Sequence, residues 1–222
     1  MTKFILPAAL AALCLALANA PSVAQTAEPE ATPAADEHAA DEHAAEIERI
    51  NAYVRGLDTI EGRFLQTASN GQVDEGAFYW RRPDRQRNEY ETNPLVVVAD
   101  GGNIAQINRD LETVDQSPIR LTPFKFLLDR RFDLNEGAEV VELQTRGSEV
   151  LVTVRDKEGE VDGDFTLVFA YPALEFRGWR WRTAHDGGVD FYLTNLQRGG
   201  RLDPRLFIIE DSTGDRDDRR RR

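Results

Sequence analysis

Cysteine is nearly absent. One residue, Cys14, stands among 222, which excludes an intrachain disulfide framework and a cysteine-rich zinc site. Three histidines, His38, His43 and His185, leave little material for metal sites or nucleophile–base pairs. Positive charge is also scarce. Against 39 Asp and Glu there are only 27 Lys and Arg, a formal net charge of −12, whereas a duplex nucleic-acid binder needs a dominant positive field to displace counterions. Beyond the first two dozen residues no apolar run approaches the roughly 18 needed to span a bilayer as a helix. What the chain does have is 41% hydrophobic and 9% aromatic residues, enough to build a packed core.

The beginning reads as a targeting segment, 1–24. Met1-Thr2-Lys3 is a short positive region, Phe4 to Ala18 is apolar, and Ser22-Val23-Ala24 offers the small residues of a cleavage site. Cys14 does not suit lipid attachment, because Leu13 precedes it where a small residue is wanted. Residues 25–45 are rich in Ala, Glu and Asp, with Ala34-Ala35-Asp36-Glu37-His38 repeated as Ala39-Ala40-Asp41-Glu42-His43. They read as a disordered or transiently helical linker. His38 and His43 lie five apart, on different helix faces, a poor arrangement for a shared metal. Discounting Lys3 and the seven acids between Glu28 and Glu46, residues 47–222 carry 26 bases and 32 acids, a net of −6. The end, 212–222, reads as a disordered Arg/Asp tail.

Between these flanks lies one domain, 46–211. Ile47, Ile50, Tyr53, Val54 and Leu57 recur at helical spacing and stop near Gly56. Period-two segments follow, separated by Gly, Asn, Asp and Pro. They predict strands near 61–68, 74–82, 86–92, 95–99, 103–108, 111–115, 139–145, 149–155, 164–171, 174–183, 189–197 and 206–210. Gly187-Gly188 and Gly199-Gly200 read as hairpin-type turns. One interruption, Thr122 to Leu128, predicts a short helix with Thr122 as its cap and Pro123 at its first position. The expected class is mainly β with α, a large antiparallel sheet with two helices.

Catalytic signals are weak. A Ser-His-Asp arrangement would have to use His185 with Ser69, Ser117, Ser148 or Ser212, none in a nucleophile-elbow context. His185-Asp186-Gly187-Gly188 reads as a turn and not as a ligand cluster. The 32 carboxylates after position 46 are abundant, but abundance does not make a catalytic pair. No phosphate loop or dinucleotide fingerprint is present, and neither enzyme, metal nor cofactor is expected. Arg177-Gly178-Trp179-Arg180-Trp181-Arg182 interleaves Arg with Trp as nucleic-acid-stacking strands do. An alternating strand that buries Trp179 and Trp181 on one face accounts for it. Phe78-Tyr79-Trp80 shows apolar residues on both strand faces, and a sheet apolar on both sides must cover both or offer one to a greasy ligand.

These pieces, in order, resemble the outer-membrane lipoprotein carrier (LolA) family. Phe64-x-Gln66 follows the opening helix. Gly76 leads to Trp80-Arg81-Arg82-Pro83, then come Arg87-x-Glu89-Tyr90, Val98-Ala99-Asp100-Gly101 and Thr122-Pro123-Phe124. The hairpin region 183–196 and the closing Leu206 to Asp211 complete the match. The chain departs from the pattern at Gln86 and Asn88, where the family favours an aromatic pair, and at Ile104 to Ile107. Gln86 and Asn88 share a strand face with Tyr90 and would make one side of a cavity more polar. The resemblance implies an open half-barrel of strongly curved antiparallel sheet whose apolar concave face is covered by a helical lid. It further implies a periplasmic monomer that ferries acylated lipoproteins from an inner-membrane lipoprotein-releasing ABC transporter to an outer-membrane lipoprotein receptor. The implied cavity and lid residues are Phe64, Phe78, Trp80, Tyr90, Phe124, Leu127 and Leu128, with Arg82 as a latch to the lid backbone. The alternative function is a periplasmic lipid-sensing or regulatory half-barrel protein that binds a membrane regulator. Such sensors carry a second domain, for which no room is expected here.

Overall fold

Alternation of apolar and polar side chains organises this chain into eleven strands, since each strand can bury only every second residue against a single layer. The computed structural model describes residues 33–185 and 187–209. In order the strands are β1 Thr59–Ala68, β2 Val73–Arg81, β3 Arg85–Tyr90, β4 Leu95–Asp100, β5 Asn103–Asn108 and β6 Thr113–Pro118. The second half supplies β7 Glu139–Arg146, β8 Glu149–Arg155, β9 Asp164–Ala170, β10 Glu175–Thr183 and β11 Gly187–Arg198. They form one antiparallel sheet in the order β6-β5-β4-β3-β2-β1-β11-β10-β9-β8-β7. β6 and β7 are its two unpaired edges, so the sheet does not close into a barrel.

Among the described residues three helices accompany it: α1 Pro33–Arg55, α2 Lys125–Leu128 and α3 Leu134–Gly137. α1 starts well before Ile47, inside the stretch expected to be linker. Its first half is Ala-rich, and alanine is the strongest helix former, while Pro33 suits the first helical position. The helix stops where Gly56 donates its N–H back to the Ala52 carbonyl. α2 is shorter than expected, and its cap differs. Phe124 holds the N-cap position, and the Thr122 hydroxyl donates to the Ile119 carbonyl of a preceding 3-10 turn, Ile119–Leu121. α3 was not foreseen; the Asp133 carboxylate caps it by accepting from the Asn135 N–H.

Of the expected strand at 206–210, the described residues 206–209 form no strand. Pro204–Phe207 is a 3-10 turn capped by Asp203, so Gly199-Gly200 ends a strand without turning a hairpin. Phe207 lies beneath the Arg81 guanidinium, and the Leu206 carbonyl accepts from Arg87. Arg81 and Arg87 alternate with Trp80, Gln86 and Asn88, so this closing segment covers the opposite, convex face. There Val96, Val98 and Ala105 are buried. The targeting segment and the Arg/Asp tail lie outside the described residues.

The concave face carries the main core. The register places Ile60, Trp80, Gln86, Ala99, Ile104 and Ser117 in one cross-strand row of β1–β6. The next row is Gly62, Phe78, Asn88, Val97, Gln106 and Asp115. On the other half Val150, Val152 and Val154 of β8 face Phe169, Leu167 and Phe165 of β9. Over this surface pack Ile50 and Val54 of α1, Phe126, Leu127 and Leu128 of α2, and Leu134 of α3.

Candidate functional site

An aromatic run crosses the middle of the concave face. Phe64 on β1 stacks on Phe191 at 4.7 Å, Phe191 on Trp179 at 5.0 Å, and Trp179 on Phe165 at 5.5 Å between ring centroids. Strand alternation produces it, because each residue occupies the inward position of its strand. Gly76 makes room at one end. A Cβ there would sit 1.9 Å from the Glu89 carbonyl oxygen and 2.8 Å from the Phe64 ring, so only glycine lets Phe64 lie across β2 and meet Tyr90 edge-on at 4.9 Å.

The lid rests on the other end. Phe124 meets Trp179 edge-on at 5.3 Å, and Phe126 lies 6.0 Å from Phe165. Polar contacts hold the segment on both sides. The Arg82 guanidinium donates through Nη2 to the Arg130 carbonyl at 3.0 Å and, at 3.4 Å, to that of Asp129. Burial pushes its pKa down, against the pull of Asp129 and Asp84. Arg130 in turn pairs with Asp84 at 2.9 Å. At the start of α2, Lys125 pairs with the buried Asp156 at 2.6 Å, and Asp156 also accepts the Val161 N–H. Burial raises the Asp156 pKa, but these hydrogen bonds outweigh it and hold the carboxyl below its usual value.

Beside the lid an open cavity of about 560 Å³ remains. Tyr90, Leu95, Val97, Ile104, Trp179 and Val189 supply its apolar lining, and Phe124 closes one side. Of the expected cavity and lid residues, only Tyr90 and Phe124 line this space. Phe64, Phe78, Trp80, Leu127 and Leu128 are buried in the core formed where the lid meets the sheet. Gln86 and Asn88 point to the concave side, both buried, with the Gln86 amide donating to Asn88 at 3.2 Å. The Tyr90 hydroxyl donates to Gln66 at 2.7 Å, and burial pushes its pKa up to about 12. Leu95, Val97, Ile104, Trp179 and Val189 line the space without being among the expected residues; their inward alternation was the available signal. Among the described residues no three metal-ligating side chains converge.

Residues 55–210 match the family described as outer membrane lipoprotein carrier protein LolA. The chain belongs to the LolA family. Its open eleven-stranded half-barrel and few helices fit that membership. No curated protein sequence matches significantly. Among solved structures, a putative outer membrane lipoprotein-sorting protein domain from Vibrio parahaemolyticus is 6% identical, with TM-score 0.47 over 73% of this chain and 94% of that one. A LolA superfamily protein from Nitrosomonas europaea is 6% identical, with TM-score 0.43 over 73% and 97%. MucB of Pseudomonas aeruginosa, in its complex with MucA, is 16% identical, with TM-score 0.42 over 77% of this chain and 62% of that one. LolA-family proteins are carriers of the periplasm. No helix among the described residues of this member is long and apolar enough to cross a membrane, which says nothing of strands.

Proposed function

We propose that this LolA-family chain is a periplasmic carrier that shields the acyl chains of lipoproteins between the inner and the outer membrane. It would receive them from a lipoprotein-releasing ABC transporter and yield them to an outer-membrane receptor. The observation that carries this reading is the short apolar lid seated on the aromatic concave face and held by hydrogen bonds from Arg82. Holding an acyl chain in water costs about 0.8 kcal/mol per methylene, on the order of 12 kcal/mol for a 16-carbon chain. Soluble transport therefore needs an enclosure, and handing the chain on needs an enclosure that does not bind too tightly. A lid that fills its own cavity meets both needs, since cargo gains only the difference between its contacts and those it displaces.

Mass spectrometry of material co-purifying with the native protein tests this directly. Acylated lipoproteins or their lipid-modified peptides are the expected result. Recovery of a single membrane regulator without acylated cargo would refute the carrier reading. The latch has its own test. Arg82→Leu should raise the binding of an apolar dye to the empty protein, because the closed population falls. Arg81→Leu should not, since Arg81 points to the convex face over Phe207. Unchanged dye binding in Arg82→Leu would remove Arg82 from the mechanism.

A further inference from the structure

The wall of the 560 Å³ cavity is not uniformly apolar, and its polar groups are sorted by sign. Along the second concave row the side chains run Phe78, Asn88, Val97, Gln106 and Asp115, from buried aromatic to exposed acid. Across the opening, the loop between β8 and β9 contributes Glu160 and Asp162. The lining thus holds three carboxylates and neither Lys, Arg nor His. Glu160 is partly offset by Arg120 at 3.6 Å, a pair exposed to solvent. Asp115 and Asp162 make no ion pair among the described residues. The Asp162 backbone is fixed in place by its carbonyl, which accepts the Trp181 indole N–H at 3.0 Å.

Deeper in, two donors that line the cavity have no partner among the described residues, while the Gln86 amide oxygen behind them, outside the lining, is an unpaired acceptor. Trp179, 6% exposed, lines the cavity with its indole N–H unpaired among the described residues. Asn88, 2% exposed, also lines it; its side-chain oxygen is taken by Gln86, and its amide nitrogen has no partner among the described residues. A buried donor left unpaired is costly and is relieved by any acceptor brought to it. An acyl carbonyl is such an acceptor on an otherwise apolar chain. Carboxylates at the mouth then favour a cation at the end of the ligand and repel an anion, with a strength that falls as salt rises.

We propose that this cavity selects acyl amphiphiles with a positively charged head: the chain against Trp179, Trp181 and Val97, the carbonyl near the Trp179 and Asn88 donors, and the cation between Asp115 and Asp162. The proposal rests on the carrier reading, because it assigns a ligand class to the same cavity. It is tested by titrating the full chain, below micelle-forming concentrations, with three probes that share one dodecanoyl chain and its carbonyl. These are cationic lauroylcholine, neutral monolaurin and anionic lauroylsarcosinate, followed by tryptophan fluorescence and calorimetry.

The expected order of affinity is lauroylcholine, monolaurin, lauroylsarcosinate, with about a tenfold gap between the charged probes at low salt. That gap should shrink in high salt and in Asp115→Asn and Asp162→Asn, two exposed positions where the change leaves the core untouched. Dodecyltrimethylammonium, which lacks the carbonyl, should bind more weakly than lauroylcholine. Equal affinity for cationic and anionic probes at low salt would overturn the proposal while leaving the carrier reading standing. Failure of every probe to bind would overturn both.

Discussion

At the scale of single residues, the best-defined electrostatic feature is Asp156. Its carboxylate is buried, paired with Lys125 of the lid and held below its usual pKa by hydrogen bonds. A depressed folded-state pKa stabilises the fold fully above the ordinary carboxylate value of 3.8, and the effect disappears as pH falls through the lower folded value. Urea unfolding of wild type and Asp156→Asn should therefore differ in midpoint at neutral pH, and the difference should begin to close only below about pH 3.8, vanishing as pH falls through the lower folded value. A midpoint difference that persists in strong acid would mean that packing, and not charge, fixes this end of the lid. Arg82 stood out in the sequence because it precedes Pro83 in a recognisable context. Lys125 and Asp156 were not, since 31 positions separate them and neither sits in a motif. A pair of that kind is created only when the lid folds back across the β8–β9 loop.

Among the elements, the strands were the most legible. Alternation located all eleven to within a few residues, because most bury one face against a common core; only the edge strands β6 and β7 hold no buried residue. The exceptions share a cause. Leu206 to Ile209 is a short apolar run that composition alone does not distinguish from a strand. Here Asp203 and Pro204 start a 3-10 turn, and Phe207 seals the convex side. Thr122 looked like a helix cap, but its hydroxyl was already engaged by the preceding turn. The cavity wall was harder still, for an inward valine facing empty space and one facing a neighbour leave the same pattern. Two changes test the packing argument. Phe191→Ala removes the centre of the aromatic run and should cost about 3–5 kcal/mol in chemical unfolding. Gly76→Ala should cost about 1–3 kcal/mol, although it adds only a methyl group, because the Cβ meets backbone and the Phe64 ring. A neutral Gly76→Ala would show that β2 and β3 can separate there without loss.

For the whole molecule, the two faces of the sheet divide the labour. The concave side carries the lid and the cavity, and the convex side over β3 and β4 is sealed by residues that follow β11. Replacing Phe207 with Ser should expose Val96 and Val98, lower the melting temperature and leave the affinity of the cavity for dodecanoyl probes unchanged. Loss of that affinity at an unchanged melting temperature would show that the two faces are coupled. The unpaired edges β6 and β7 have a mechanical consequence. In a closed barrel, widening the bore means tearing a ladder of hydrogen bonds somewhere around the circumference. Here the seam is already open, so the half-barrel can yield like a split ring, spreading for a bulkier guest and springing back with every rung of its ladder intact.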